Sequence, residues 1–361
     1  MSSAEAVRDR VLAALRTVQD PELHVDLVTL GLVEGLTVEG DTVTLTVNLT
    51  TPGCPLKGQI EKDVRTAVLG VSGVANVNLT MSAKVKRSIA APAELIPEVA
   101  NTIAVGSGKG GVGKSTVAAN LALSFARTGA AVGLMDADLY GPNLVQMLGV
   151  KERPEIRGKR IVPVVAHGLK LMSMAFFLKE DEPVVWRGPM LHGAIRQFLG
   201  DVEWGALDYL FIDMPPGTGD VQLTLSQVIP LTGAVLVATP QDIALSDVRK
   251  AAAMFAKVNV PILGVVENMS YFECPHCGER SEIFSHGGAA RLAEKLGVPC
   301  LGSIPLDVRL RQGGDEGRPP VIYDPKSGPA ILFREIAERL AAIISVQTWK
   351  GEAHELAAER Q

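Results

Sequence analysis

The first quarter of the chain switches between a helical and an alternating spacing of hydrophobic residues. These spacings predict a helix, two strands, a helix and a strand over residues 4–18, 31–38, 42–49, 58–69 and 74–81. The polar triplet Glu39-Gly40-Asp41 between the two strands is typical of a hairpin turn. We therefore predict a small two-layer α+β domain over residues 1–83, followed by a linker with mixed charges and prolines over residues 84–100.

From residue 101 onward, short apolar runs alternate with stretches of helical spacing. The predicted strands cover residues 101–106, 131–135, 207–212, 234–238, 262–267 and 301–304. Such alternation predicts right-handed βαβ units, giving an α/β domain over residues 101–346 whose mostly parallel sheet is covered by helices on both faces. We expect residues 157–174 to form an inserted hairpin and residues 347–361 to form a charged, solvated and partly helical C-terminal tail.

A glycine-rich stretch between the first strand and helix of this domain matches the phosphate-binding loop pattern. It consists of Gly108, Lys109, Gly110, Gly111, Val112, Gly113, Lys114, Ser115 and Thr116. Backbone N–H groups and a helix N-terminus would converge there on a polyphosphate such as ATP. Lys114 is expected at the β- and γ-phosphates, and the Ser115 hydroxyl is expected to bind Mg²⁺. A glycine-rich connector is the alternative, which the Lys-Ser pair disfavours.

Lys109 is an additional lysine that the general pattern does not require. Between Gly108 and Gly110, its side chain is expected to project away from its own phosphate site. It can then supply positive charge to the site of a facing copy of the chain, as an arginine finger does. A solvated loop lysine is the alternative.

Carboxylates follow two more predicted strands, where ligands of parallel sheets gather. Asp213 is expected to hold Mg²⁺ through water, Asp136 to support the metal, and Asp138 to position the attacking water. Gly217, after two prolines, can offer a backbone N–H that senses the γ-phosphate. The alternative for Asp136 and Asp138 is a capping or turn carboxylate.

Composition narrows the class of protein. With 47% hydrophobic and 21% charged residues, the chain is typical of a globular protein, and its net charge of −5 disfavours nonspecific nucleic-acid binding. We see no apolar run long enough for a bilayer and no export signal, so we expect a cytoplasmic protein without a membrane partner. Four cysteines in 361 residues do not form a disulfide framework, which leaves their thiols free.

Cys274 and Cys277 form a C-x-x-C pair in a predicted loop. A tetrahedral thiolate site needs about four ligands, whereas Cys54 and Cys300 are single, so two chains meeting at a two-fold axis are the simplest solution. The pair alone leaves open an iron–sulfur cluster or zinc, the latter including a knuckle that uses His276 or His286. A redox dithiol is less favoured, because no thioredoxin-like context surrounds the pair.

The N-terminal domain resembles the small iron–sulfur assembly factors that occur alone or fused ahead of P-loop carriers. The residues that carry this resemblance are Asp20-Pro21-Glu22-Leu23, Leu30-Gly31-Leu32-Val33 and Thr51-Pro52-Gly53-Cys54-Pro55. The resemblance implies that Cys54 handles clusters. A small buried cysteine near a turn is an equal alternative.

The larger domain resembles the Mrp/ApbC branch of the deviant-Walker P-loop ATPases, a group that includes MinD and ParA. The resemblance rests on the G-K-G-G-V-G-K-S-T loop, on D-A-D-L-Y-G-P-N from residue 136 and on D-M-P-P-G-T-G-D from residue 213. It covers about residues 100–344. It implies that Lys109 crosses a dimer interface and that Asn268 contacts the adenine edge. It further implies a homodimer in which Cys274 and Cys277 hold a bridging [4Fe–4S] cluster.

The resulting hypothesis is a slow, homodimeric ATPase that exchanges clusters with scaffold proteins and apo-proteins. A MinD- or ParA-like positioning ATPase is the first alternative. It is disfavoured because the C-terminal residues include Glu352, Glu355 and Glu359 rather than a basic amphipathic helix, and because the net charge is negative. A zinc-stabilised nucleotide switch is the second alternative.

Overall fold

The computed structural model describes residues 3–21, 23–88, 95–138, 141–177, 188–217 and 219–358. The chain forms two units, Met1–Lys86 with Ala341–Gln361, and Arg87–Leu340. Several predicted features lie outside the described residues, namely Glu22 of the N-terminal motif, residues 89–94 of the linker, residues 139–140 and 218 of the phosphate-site segments, and the last three residues.

The first unit contains the predicted α-β-β-α-β order. Its elements are α1 (Ser3–Leu15), β1 (Val33–Glu39), β2 (Thr42–Leu49), α2 (Lys57–Leu69) and β3 (Asn76–Ala83). Strand β2 pairs antiparallel with β1 and parallel with β3. Because side chains alternate along a strand, Val43, Leu45 and Val47 of β2 share one face, where they are buried with Val11 of α1 and Val64 of α2.

The second unit contains the larger sheet. Its strands are β4 (Val99–Ser107), β5 (Val132–Asp136), β6 (Glu155–Arg157), β7 (Arg160–Val162), β8 (Val164–Ala166), β9 (Leu169–Ser173), β10 (Leu207–Asp213), β11 (Gly233–Ala238), β12 (Ile262–Glu267), β13 (Phe272–Glu273), β14 (Arg280–Ser281) and β15 (Cys300–Ser303). The remaining helices are α3 (Lys114–Arg127), α4 (Leu144–Met147), α5 (Gly188–Gly200), α6 (Asp220–Val228), α7 (Asp242–Lys257), α8 (Gly288–Leu296), α9 (Val308–Glu316), α10 (Pro320–Tyr323) and α11 (Gly328–Ala358), the last of which is divided between the units.

Eight strands form this sheet in the order β15-β12-β11-β4-β10-β5-β9-β8. The pairs are parallel except for β8, which runs antiparallel to β9. The predicted mostly parallel α/β sheet is therefore confirmed. Asp213 at the end of β10 lies in register with Asp136 of β5 and with Val105 of β4, so three neighbouring strands end at one point.

Helix α3 is fixed on this sheet by aromatic packing. Its Phe125 ring meets the rings of Tyr209 and Phe211 on β10 edge-on, with centroids 4.7 and 5.0 Å apart. Edge-on packing is a preferred arrangement of aromatic pairs, and it stabilises them beyond the burial of their apolar area. The helix that follows the glycine-rich loop is thereby held against the strand that carries Asp213.

The predicted hairpin over residues 157–174 is wrong in one respect. A short hairpin does form, by β6 and β7, but β9 joins the main sheet parallel to β5, and β8 extends the sheet as its edge strand. The turn between β8 and β9 contains His167 and Gly168, both with positive φ. Local alternation predicts a hairpin correctly but does not reveal which distant strand pairs with it.

The C-terminal segment differs from the predicted solvated tail. Helix α11 continues to Ala358, and its last part belongs to the first unit. The half-buried Trp349 packs against the core of that unit, and the Lys86 ammonium lies 3.1 Å from the centre of its indole ring. Although α11 has 31 residues, none of the described helices combines the length and hydropathy needed to cross a membrane.

Replacing Trp349 by alanine is expected to loosen the first unit, because the indole completes its hydrophobic core. We expect Trp349→Ala to lower the free energy of unfolding of this unit by about 1–3 kcal/mol. Faster hydrogen exchange of the β2 amides, followed by mass spectrometry, measures this loss. The neighbouring Gln347→Ala is the control, and equal exchange in the two variants would contradict the packing role of Trp349.

Candidate nucleotide site and cysteine pair

The glycine-rich loop connects β4 to α3, and two of its glycines are required by close contacts. A Cβ atom at Gly108 would lie 2.2 Å from the carbonyl carbon of Asp247 in α7. A Cβ atom at Gly113 would lie 2.1 Å from the Asn268 amide nitrogen, and the φ of Gly113 is +80°. Only glycine fits both positions, so the loop conformation depends on α7 and on the end of β12 as well as on its own sequence.

A cleft of about 630 Å³ lies over this loop. One side is formed by loop residues between Lys109 and Thr116, and the other includes Gln146 of α4 with Arg311 and Asp315 of α9. The guanidinium of Arg311 lies 2.6 Å from the Asp315 carboxylate. The volume falls within the range of small-molecule sites in proteins. Lys109 lines the cleft, as do three of the four predicted glycines of the loop, those at positions 110, 111 and 113, whereas Gly108 does not.

Lys114 brings the predicted carboxylates together beneath the cleft. Its ammonium lies 2.6 Å from Asp213 Oδ1 and 3.6 Å from Asp138 Oδ2, and only 6% of its side chain is exposed. Asp136 accepts hydrogen bonds from the backbone N–H of Asp138 and from the Ser173 hydroxyl, both at 3.1 Å. The four predicted charged residues thus form one buried group, which we call the lysine–carboxylate cluster.

Carboxyl groups outnumber ammonium groups in the lysine–carboxylate cluster. Burial raises the pKa of Asp136 well above its usual value, the Asp213 charge raises it further, and Lys114 opposes both effects. Burial also raises the pKa of Asp213, again opposed by Lys114. A single ammonium therefore faces three buried carboxyl groups, Asp136, Asp138 and Asp213.

The lysine–carboxylate cluster fits a divalent cation. Asp213 Oδ2 is buried and has no hydrogen-bond partner among the described residues. The hydroxyl of Ser115 lies 3.3 Å from the Lys114 ammonium that Asp213 contacts. Carboxylate and hydroxyl oxygens are the ligands that Mg²⁺ prefers, and an added positive charge would offset the excess of carboxylates.

Gly217 and Asn268 lie beside the loop, and Gly217 bonds to the end of β4 whereas Asn268 bonds to the loop itself. The backbone N–H of Gly217 donates to the Ser107 carbonyl at 3.2 Å. The Asn268 amide donates to the Val112 carbonyl at 2.9 Å, and Asn268 is only 5% exposed. The predicted contacts of Gly217 with the γ-phosphate and of Asn268 with adenine remain predictions.

The two cysteines of the C-x-x-C pair lie in the turn of the hairpin formed by β13 and β14. The Cys274 N–H donates to the Glu279 carbonyl at 2.9 Å, and the Gly278 N–H donates to the Cys274 carbonyl at 2.8 Å. Cys274 is half-buried and Cys277 is exposed. The backbone N–H groups of His276 and Cys277 lower the pKa of the Cys274 thiol by hydrogen bonding to its sulfur.

The other cysteines lie elsewhere. Cys54 packs against the core of the first unit, and Cys300 begins β15, where burial raises the pKa of its thiol. Within the described ranges, no group of three or more His, Cys, Asp or Glu side chains is placed to hold a metal ion. His286, a candidate zinc ligand from the sequence, has its Nδ1 2.6 Å from the Ser270 hydroxyl.

Several residues around the site were not predicted from the sequence. Ser173 reaches Asp136 from β9, a strand that we expected in a separate hairpin. Asp247 contributes backbone that limits Gly108. Glu267 accepts hydrogen bonds from three groups around the base of the cysteine loop and lies 3.4 Å from His286 Nδ1. Their roles depend on distant pairings, and the only local signal was the position of Glu267 at a strand end.

Fold and loop together define a P-loop NTPase. The family model described as "NUBPL iron-transfer P-loop NTPase" matches residues 98–341, and one described as "Iron-sulfur cluster assembly protein" matches residues 8–79. The chain belongs to the NUBPL iron-transfer P-loop NTPase family. The resemblances stated from the sequence are thereby confirmed for both parts of the chain.

Curated relatives extend over nearly the whole chain. A protein of Deinococcus radiodurans named "Iron-sulfur cluster carrier protein" is 52% identical over 344 residues, covering 95% of this chain and 97% of the relative. A protein of the same name from Escherichia coli strain K12 is 43% identical over 355 residues, covering 97% and 95%. The chain is thus a member of the iron–sulfur cluster carrier family of P-loop NTPases.

Solved structures resemble the larger part. A nucleotide-binding protein of Archaeoglobus fulgidus, in complex with ADP, has a TM-score of 0.57 and 42% identity and covers 65% of this chain and 91% of its own. The cell division ATPase MinD of Pyrococcus furiosus has a TM-score of 0.53 and 26% identity, covering 66% and 98%. Both similarities support the MinD- and ParA-like fold.

The opposite pKa shifts of Cys274 and Cys300 predict different reactivity with iodoacetamide. Because only the thiolate reacts, the alkylation rate of Cys274 should rise at lower pH than that of Cys300. Near pH 7, Cys274 should react faster than Cys300, since a lower pKa leaves more of the thiol as thiolate. Peptide mass spectrometry of metal-free protein over a pH series measures both midpoints. Identical midpoints, or the reverse order, would contradict the assigned hydrogen bonds.

Proposed function

We propose that the protein binds Mg²⁺ and ATP in the cleft over the glycine-rich loop, hydrolyses the nucleotide slowly, and thereby loads or delivers an iron–sulfur cluster. The observation that carries this proposal is that one unit contains both the lysine–carboxylate cluster and the exposed hairpin with Cys274 and Cys277. High identity to proteins named as iron–sulfur cluster carriers supports the assignment of an iron–sulfur cluster as the cargo.

The chemistry of the cleft follows from its charges. Lys114 would exchange part of its contact with Asp213 for the β- and γ-phosphates, while Ser115 and Asp213 would hold Mg²⁺ with support from Asp136. The cation supplies positive charge that offsets the phosphates and the excess carboxylate. Asp138, at the rim of the cluster, would orient the attacking water.

A second copy of the chain would complete the nucleotide site. Lys109 lines the cleft but takes no part in the ion pairs that Lys114 forms with Asp138 and Asp213. In a dimer with facing loops, the partner's loop would insert this lysine as a charge in trans, which is worth several orders of magnitude in related reactions. The homodimer therefore belongs to the proposal.

The same dimer would complete the cargo site. Cys274 and Cys277 supply two thiolates per chain, and two chains supply the four that a [4Fe–4S] cluster requires. Cluster scaffold proteins would load the site and apo-proteins would receive the cluster, in a cytoplasm that keeps thiols reduced.

Hydrolysis would act first on the loop that follows β10. The Gly217 N–H donates to the Ser107 carbonyl, so this loop contacts the end of the strand that leads into the glycine-rich loop. Gain and loss of the γ-phosphate would shift the segment between Asp213 and Gly219 and alter the geometry at the cysteine pair. Cluster binding and nucleotide state would then depend on each other.

The lysine roles predict different losses of ATPase activity. Lys114→Ala should lower turnover at least about 100-fold, because it removes the charge nearest the transferred phosphoryl group. Lys109→Ala should lower turnover about tenfold or more, with unchanged far-UV circular dichroism, because it removes only the charge in trans. Phosphate release assays measure both, with the exposed Lys295→Ala as control. Unchanged hydrolysis in Lys114→Ala would contradict the nucleotide site.

The cargo site predicts loss of cluster on removal of either thiolate. After anaerobic reconstitution with iron and sulfide, Cys274→Ala and Cys277→Ala should lose most of the bound iron and the visible absorbance of the cluster. Cys300→Ala is the matched control, since Cys300 begins β15 outside the hairpin. Equal cluster content in all four proteins would refute the cargo site, and bound zinc without iron would favour the nucleotide switch.

A further inference from the structure

The segment that follows β12 contacts the nucleotide loop directly. The Asn268 amide donates to the Val112 carbonyl at 2.9 Å and lies against Gly113, where it leaves no room for a Cβ atom. The backbone N–H of Asn268 donates to the Ala238 carbonyl of β11 at 2.7 Å. Because the segment is held on both sides, a movement of the Val112–Gly113 backbone must be transmitted to it or break these contacts.

Glu267, one residue earlier, holds the base of the loop that contains the cysteines. Its buried carboxylate accepts the Ser270 hydroxyl at 2.6 Å and the Gly287 N–H at 3.0 Å through Oε1, and the Ala289 N–H at 2.7 Å through Oε2. Ser270 precedes the cysteine hairpin, whereas Gly287 and Ala289 follow it at the start of α8. One carboxylate therefore joins the two ends of the loop over residues 271–286.

His286 closes the same junction from the far end of the loop. Its Nδ1 lies 2.6 Å from the Ser270 hydroxyl and 3.4 Å from Glu267 Oε1. Ser270 is fully buried, so this hydroxyl is enclosed between the carboxylate and the imidazole. We call Glu267, Ser270 and His286 the clamp.

The backbone at both ends of the loop is strained. Met269 has a φ of +55° and Ser285 a φ of +73°, values that residues with a side chain adopt rarely. Such conformations persist where the surrounding contacts over-determine them, and they are concentrated at functional and switch segments. Each strained residue is adjacent to a member of the clamp.

We propose that the clamp, with Asn268, couples the nucleotide loop to the cysteine pair, and that Glu267 and Ser270 are positioning residues for the thiolates of Cys274 and Cys277. This inference rests on the proposed function. It names a route through β12 that is separate from the loop after β10. Binding of nucleotide would shift Val112 and Asn268, rotate the clamp and reorient the hairpin. By linkage, the factor by which nucleotide alters metal affinity at the cysteines equals the factor by which the metal alters nucleotide affinity.

Alkylation of the metal-free protein tests this route without requiring a cluster. Iodoacetamide labelling of Cys274 and Cys277 is quantified by peptide mass spectrometry with and without saturating Mg·ADP. The labelling rate with Mg·ADP divided by the rate without it is called the nucleotide ratio of each thiol. In the wild type we expect a ratio that differs from one by about fivefold or more. Cys54, which lies in the other unit, is the internal standard.

The variants separate coupling from general damage. Ser270→Ala and His286→Ala should bring the nucleotide ratio close to one while ADP affinity, measured by calorimetry, stays within about threefold. Ser270→Thr retains the hydroxyl and should therefore keep the wild-type nucleotide ratio. Ser226→Ala is the matched control, since it removes an equally buried hydroxyl that bonds only the Gln222 carbonyl within α6.

The possible failures are distinguishable. A wild-type protein that binds ADP with no change in thiol labelling would overturn this inference alone. The inference is also overturned if both clamp variants keep the wild-type ratio. Absence of ADP binding in the wild type would overturn the proposed function and, with it, the clamp. Because His286 is nearly half exposed, His286→Ala keeps the test decisive if Ser270→Ala fails to fold.

Discussion

Three buried carboxyl groups lie together with one ammonium at the carboxyl end of the large sheet, beside the cleft over the glycine-rich loop. Among the described residues Lys114 is the ammonium that contacts Asp138 and Asp213, and Asp136 lies in register beside Asp213. Burying like charges together is costly unless a partner of opposite sign offsets them. The parallel register of β4, β5 and β10 places Asp136 and Asp213 side by side, an arrangement that an added positive charge would offset.

The glycine-rich loop is shaped by its neighbours as much as by its own residues. The backbone of α7 meets Gly108, and the Asn268 amide meets Gly113, so the loop is held between helix α7 and the segment that follows β12. The segment after β12 therefore touches the glycine-rich loop and leads directly into the cysteine hairpin within one unit. Asn268 bonds to the glycine-rich loop. Glu267 and Ser270, within two residues of it along the chain, bond to each other at the base of the cysteine hairpin.

Local features of this fold were predictable, and long-range ones were not. The strand, loop and helix around Lys114, and the positions of Asp136 and Asp213 at strand ends, follow from spacing over a few residues. The pairing of β9 with β5 and the packing of Trp349 depend on partners far along the chain, so spacing alone gave a separate hairpin and a solvated tail. Likewise, nothing local revealed that His286 meets Ser270.

Calorimetric titration of ADP, with Mg²⁺ and then with a chelator, tests the central electrostatic claim most directly. If the buried carboxylates require a cation, ADP should bind about tenfold or more tightly with Mg²⁺, and Asp213→Asn should reduce that ratio because it removes one negative charge. Equal ADP affinity with and without Mg²⁺ in the wild type would contradict the account.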